Sequence, residues 1–74
     1  MELEEFDKEL QNRGFTQTAS GIRFEPNGML LYTWLKMPVS ICVSLEPFGI
    51  SKKIFSGDMK TKYYENYGQL LEDI

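Results

Sequence analysis

Residues 39 to 45 read VSICVSL, apolar at every odd position and small or polar at every even one. Strict alternation sends Val39, Ile41, Val43 and Leu45 to one side of an extended chain and Ser40, Cys42 and Ser44 to the other. A chain with such a segment must build a sheet with one packed face, and the apolar set must point into it. The flanking residues have to supply neighbouring strands, and something further must cover the apolar side.

Turn signals on both sides provide the neighbours. EPNG at 25–28 and EPFG at 46–49 each put proline where a turn wants a fixed φ and glycine where it wants a positive one. They stand twenty-one residues apart, which implies two successive hairpins, although the flanking residues do not match and there is no repeat. Pro38 separates the second strand from the third, because proline cannot sit inside a central strand. A type I turn closed by a glycine bulge pairs Glu25 with Met29, hence Phe24 with Leu30 and Ile22 with Tyr32. Paired residues share a face, so the expected core side is Ile22, Phe24, Leu30, Tyr32 and Trp34. For the second hairpin two registers stand open: a bulged turn pairs Ile41 with Phe55, and a two-residue loop pairs Ile41 with Ile54.

The cover comes from the ends. Leu3, Phe6 and Leu10 are spaced three and four apart and form a narrow helical stripe, with Glu2, Glu4 and Glu5 in the first turn, where the helix dipole favours acids. Gly14 fits the left-handed position just past the helix end, and Phe15 then falls where a Schellman ending makes its apolar contact with Leu10. The first helix is expected from about Leu3 to Arg13. On a wheel begun at Tyr63, the residues Tyr63, Tyr64, Tyr67, Leu70, Leu71 and Ile74 fill an arc of about 120°, the width of a core-facing stripe. A second helix is therefore expected there, with its tyrosines mainly in the core and Tyr64 at the edge of the arc. Lys60 and Lys62 at its start, and Glu72 and Asp73 near its end, all oppose the dipole. Those charges do not serve the helix alone.

The expected fold is α+β, a single domain over residues 1–74: a four-stranded antiparallel sheet of two hairpins, with N- and C-terminal helices packed on one face. At this length only about 60 to 65% of the unfolded surface can be buried, so a second copy or another partner is a natural supplement to the core. Disulfides within the chain are excluded, since Cys42 is the single cysteine, which suits a reducing, cytoplasmic setting. Without histidine, and with one thiol and scattered carboxylates, no metal or other cofactor is expected. No apolar run approaches the roughly 18 residues of a membrane span, and the acidic opening MELEEFDKEL is unlike a signal peptide.

The chemistry of catalysis is equally thin. No imidazole is there for acid–base work or to ionise the Cys42 thiol, the adjacent carboxylates lie on solvated helix faces, and neither turn has the lysine and hydroxyl of a phosphate loop. The reading is non-enzymatic. Net charge is −3, with a basic stretch over residues 36–62 between acidic ends, an arrangement that is self-complementary. Within it Lys52, Lys53, Lys60 and Lys62 alternate with aromatics that include Tyr64, the pattern of a weak single-stranded nucleic-acid binder, although no RGFGF-type strand is present. The stronger pointer is apolar surface. If Trp34 and its set face the helices, Leu31, Thr33, Leu35 and Met37 face outward beside Arg23 and Cys42, as a partner site or dimer seam. A protein partner or self-association is expected, with nucleic acid as the alternative.

An acidic opening helix ending in NRGF, a short strand SGIRFE leading into a tight hairpin, and a closing YYENYGQLLEDI together resemble the layout of small proteins encoded by bacteriophages and prophages of Gram-positive bacteria. The resemblance implies an accessory protein that binds and modulates a host or phage protein. It assigns no role to an individual residue.

Overall fold

Strand pairing dominates the architecture. A computed structural model of the chain, which describes residues 1–24, 26 and 28–74, runs α1 (Leu3–Asn12), β1 (Thr16–Phe24), β2 (Met29–Lys36), β3 (Val39–Leu45), β4 (Phe48–Ile54), β5 (Thr61–Tyr64) and α2 (Tyr67–Glu72). The strands form one antiparallel sheet in the order β1-β2-β3-β4-β5. The class is α+β, and both helices lie on one face of the sheet. The expected four strands are in fact five.

The fifth strand comes from residues expected to open the second helix. Thr61–Tyr64 pairs with β4, with Lys62 opposite Lys52 and Tyr64 opposite Ile50. The helix begins only at Tyr67, behind Asn66, whose side chain accepts from the Gln69 amide at 2.9 Å while Gln69 Oε1 accepts from the Glu65 amide at 2.9 Å. This reciprocal cap satisfies two backbone donors and sets the helix start. Tyrosines suit strands as well as helices, so apolar spacing alone misplaced the boundary. As a result Tyr63, expected in the core, is 77% exposed, and Ile74 is also exposed. Tyr67, Leu70 and the half-buried Leu71 keep the packing role expected of them.

The core lies between the sheet and the helices. Phe6, Leu10, Trp34, Ile41, Val43 and Leu70 are fully buried, joined by Phe15, Ile50 and Tyr67. The Phe6 ring stacks on Tyr67 at 4.5 Å and meets Trp34 edge-on at 5.4 Å, so one α1 residue ties the second helix to the central sheet. Helix α1 ends as its sequence requires. Gly14 adopts φ 91°, the Phe15 amide donates to the Leu10 carbonyl at 2.9 Å, and the Gly14 amide donates to Gln11 at 3.0 Å. Those are the two bonds of a Schellman ending, and they deliver Phe15 into the core beside Leu10.

Register decides which side chains reach the other face. Between β1 and β2, Phe24 pairs with Met29, Arg23 with Leu30 and Ile22 with Leu31, one residue off the expected register. The expected partner Glu25 lies outside the described residues, as does the side chain of Phe24. A one-residue slip exchanges faces: Ile22, expected inside, is 46% exposed on the outer face, and Arg23, expected outside, falls on the helix side and donates to the Gly28 carbonyl at 2.7 Å. Two bulges in β1 each change the facing of that strand again, while β2 keeps its expected phase throughout, with Trp34 inward. At the second of them Gly21 takes φ 67°, a conformation that glycine accepts without strain. In the next hairpins Lys36 pairs with Val39, and Leu45 pairs with Phe48. The loop at the second is Glu46–Pro47, so Ile41 faces Lys52, and neither Phe55 nor Ile54 is its partner. Proline occupies the second loop position there, whereas both expected registers placed it first, one of them in a loop of the same two-residue length.

Candidate functional site

Among the described residues, the helices leave one face of the sheet without a covering element. Strand alternation sends Ile22, Leu31, Thr33 and Leu35, with Ser40, Cys42 and Ser44 of the central strand, to this face. Leu31, Thr33 and Leu35 therefore stand where expected, each half-buried by its neighbours, and Met37 is 70% exposed at the end of β2. Tyr63 belongs to the same face through its pairing with Ser51, and Phe55 adds a further exposed ring. Neither aromatic was expected here. The signal that could have located Tyr63 was the pair of misplaced lysines around it, which argued against a helix start.

The relief of this face is regular. Small residues line its middle: Ser40, Cys42 and Ser44 of β3, and Gly49 and Ser51 of β4. Larger ones rise on either side, Met29, Leu31 and Leu35 along β2 and Tyr63 on β5. Two shallow depressions result. One of about 340 Å³ has Leu31 and Tyr63 as walls and Cys42, Ser44 and Ser51 as floor. The other, of about 530 Å³, is lined by Thr18, Thr33, Leu35, Met37, Ser40 and Phe55.

Three hydroxyls of this face are occupied within the chain. Thr18 and Thr33 share a hydroxyl–hydroxyl bond of 2.7 Å across the bulge, and Ser44 Oγ donates to the Pro47 carbonyl at 2.5 Å. Burial pushes the Cys42 thiol up from its ordinary pKa, which works against thiolate formation. Within the five strands, Lys53 is the one charged side chain that register places on this face, and its Nζ lies 5.3 Å from the centre of the Phe55 ring.

The lysine-rich stretch divides between the two faces. Lys52 and Lys62 sit on the helix side and converge on Asp73 at the end of α2: Lys62 Nζ is 2.9 Å and Lys52 Nζ 3.3 Å from Oδ2, and Lys52 also donates to the Asp73 carbonyl at 3.0 Å. Tyr64 donates its hydroxyl to the same oxygen at 2.5 Å. These donors, Tyr64 first, then Lys62 and Lys52, hold the Asp73 carboxyl far below the usual carboxylate range. Burial, and then the bond and charge of Asp73, push the Tyr64 phenol well above its ordinary value. Lys53 faces the opposite way, and Lys60 is exposed beyond β4. The four lysines thus form no single surface, and the Tyr64 ring has Lys62 and Lys52 ammonium groups 5.4 and 6.0 Å from its centre.

Among the described residues no helix is long and apolar enough to cross a membrane, and no group of three or more His, Cys, Asp or Glu side chains converges. Comparison with protein-family models, curated proteins and solved structures finds no match.

Proposed function

We propose that the chain is a non-enzymatic binding module that engages another protein molecule through the outer face of its sheet. The observation that supports this most is the composition of that face: one lysine among its strand residues, several large apolar groups, and hydroxyls of Thr18, Thr33 and Ser44 bonded within the chain, where 26% of all residues are charged. Burying such a surface removes apolar area from water and costs little in stripped polar groups. The sheet edges are poor alternatives. Edge strand β1 carries two bulges, and edge strand β5 has four residues, one of them Lys62. A role as modulator of a host or phage protein is compatible with this mode of action.

Nucleic-acid binding through Lys52, Lys53, Lys60, Lys62 and Tyr64 is the weaker reading, because Lys52 and Lys62 are turned to Asp73 and phosphate contact needs free cations. The test is retention from a lysate by the immobilised chain. The wild type and a Glu4→Lys control on the helix exterior are expected to hold the same protein, and a folded Leu31→Glu/Leu35→Lys variant is expected to lose it. Equal retention by that variant refutes the reading, and a salt-sensitive oligonucleotide complex with the wild type would support the alternative.

A further inference from the structure

We infer that the occupant of the outer face is a second copy of the chain, docked sheet on sheet about a twofold axis through the central strand. This rests on the reading of that face as a protein-docking surface and commits it to one partner.

Area comes first. Five strands about 4.8 Å apart and about seven residues long at about 3.3 Å per residue present roughly 24 by 23 Å, about 550 Å² in projection and more once side-chain relief is included. A standard interface needs about 800 Å² of accessible surface from each partner. The face reaches that order only if nearly all of it is engaged. A single docked helix, about 10 to 12 Å across, spans less than half its width. A second sheet of equal size covers it completely.

Relief and charge point the same way. An isologous contact requires the patch to complement itself, each residue i meeting j while j meets i. Here a ridge of Leu31 and Leu35 on β2 runs beside a trough of Ser40, Cys42 and Ser44 on β3. Gly49 and Ser51 continue that trough on β4, and rotation about an axis that runs along β3, midway between the packed sheets, sets each copy's ridge over β4 of the other. A copy of a chain with net charge −3 is otherwise an unfavourable neighbour, but this face brings no acid from its strands and only Lys53, already placed against Phe55. Self-docking here therefore avoids the repulsion that any pairing of the helix exteriors would meet.

The geometry identifies a probe. Cys42 is the middle residue of β3, and β3 is the middle strand, so its thiol lies close to the proposed axis. Packed sheets stand about 10 Å apart, beyond the 4.4 to 6.8 Å between Cα atoms that a disulfide spans. The dimer accordingly shields the thiol without bonding it to its twin.

Sedimentation equilibrium across concentration, with the rate of Cys42 alkylation by iodoacetamide measured on the same samples at one pH, tests this. The expected result is a monomer–dimer equilibrium in which the alkylation rate falls in proportion to the monomer fraction. Tyr63→Glu, at a ring exposed enough to leave the fold intact, is expected to shift the equilibrium to monomer and restore the rate. A chain that stays monomeric overturns the inference; if its lysate partner is still lost on Leu31→Glu/Leu35→Lys substitution, the docking surface stands with a different occupant. A dimer whose Cys42 reacts at a constant rate also overturns the inference, since its interface then lies elsewhere.

Discussion

Trp34→Phe probes the junction of sheet and helices at one atom. Trp34 is fully buried, its ring edge-on to Phe6, and its indole nitrogen donates to Asp7 Oδ1 at 2.7 Å. Phenylalanine keeps an aromatic ring but loses the donor. A hydrogen bond to a carboxylate acceptor contributes about 1.5 to 3 kcal/mol, and the half-buried setting of Asp7 favours the lower end. The smaller ring also gives up contacts in a packed site, for about 1 kcal/mol more. The sum is about 2 to 3 kcal/mol, against a total of roughly 4 to 11 kcal/mol for a domain of 74 residues. At about 4 to 8 °C per kcal/mol, melting followed by far-ultraviolet circular dichroism should fall by about 10 to 20 °C. Asp7→Ala, which strands the indole donor, should cost about 1 to 3 kcal/mol. The double variant should then be less destabilised than the two singles together, by about 1 to 2 kcal/mol. A Trp34→Phe variant within about 0.5 kcal/mol of wild type, or strictly additive singles, would refute this account of the junction.

Other perturbations address separate parts of the fold. Gly14→Ala places a side chain at φ 91° and should cost about 1 to 2 kcal/mol in a denaturant titration through backbone strain alone, since the new Cβ meets only the flexible end of Lys36, at an ordinary 3.4 Å. Tyr63→Ala should leave stability within about 0.5 kcal/mol of wild type while Tyr67→Ala costs about 3 to 5 kcal/mol; similar losses at both would restore the single long helix. The depressed Asp73 carboxyl contributes stability that is present above the ordinary carboxylate pKa and disappears as pH falls toward its folded value, so Asp73→Asn should flatten the acid limb of the stability profile. The raised Tyr64 phenol contributes in the opposite sense. Its stabilisation is present below the ordinary tyrosine pKa of about 10 and is lost as pH rises beyond it, so Tyr64→Phe should flatten the alkaline limb.

Local chemistry made the helix and central strand legible. The three-four spacing of Leu3, Phe6 and Leu10, followed by Gly14 and Phe15, carries its own stop signal, and the Schellman bonds form where that signal places them. VSICVSL likewise has one way to point its apolar residues when one face is packed, and Ile41 and Val43 are fully buried. Loop length was not encoded so locally. A proline beside a glycine serves turns of several lengths, and one residue more or less exchanged Ile22 with Arg23 across the sheet. The bulges that change the facing along β1 depend on tertiary pairing, and only Gly21 hints at one of them. TKYY could belong to strand or helix by propensity. What decided it was an available edge at β4, together with the Asn66–Gln69 cap downstream. For the outer face, Leu31, Thr33, Leu35 and Met37 were legible because they follow from Trp34 pointing inward. Tyr63 and Phe55 were not, since their placement depends on the fifth strand and on the register of the second hairpin.

The most direct test of the central claim is an isotope-filtered nuclear Overhauser spectrum of a mixture of labelled and unlabelled chains at a concentration where association is complete. Intermolecular contacts from the Leu31 and Leu35 methyls of one copy to Gly49, Ser51 and Lys53 on β4 of the other are the predicted result. Intermolecular contacts confined to α1, α2 or the edges of β1 and β5 would contradict it, as would a spectrum with none.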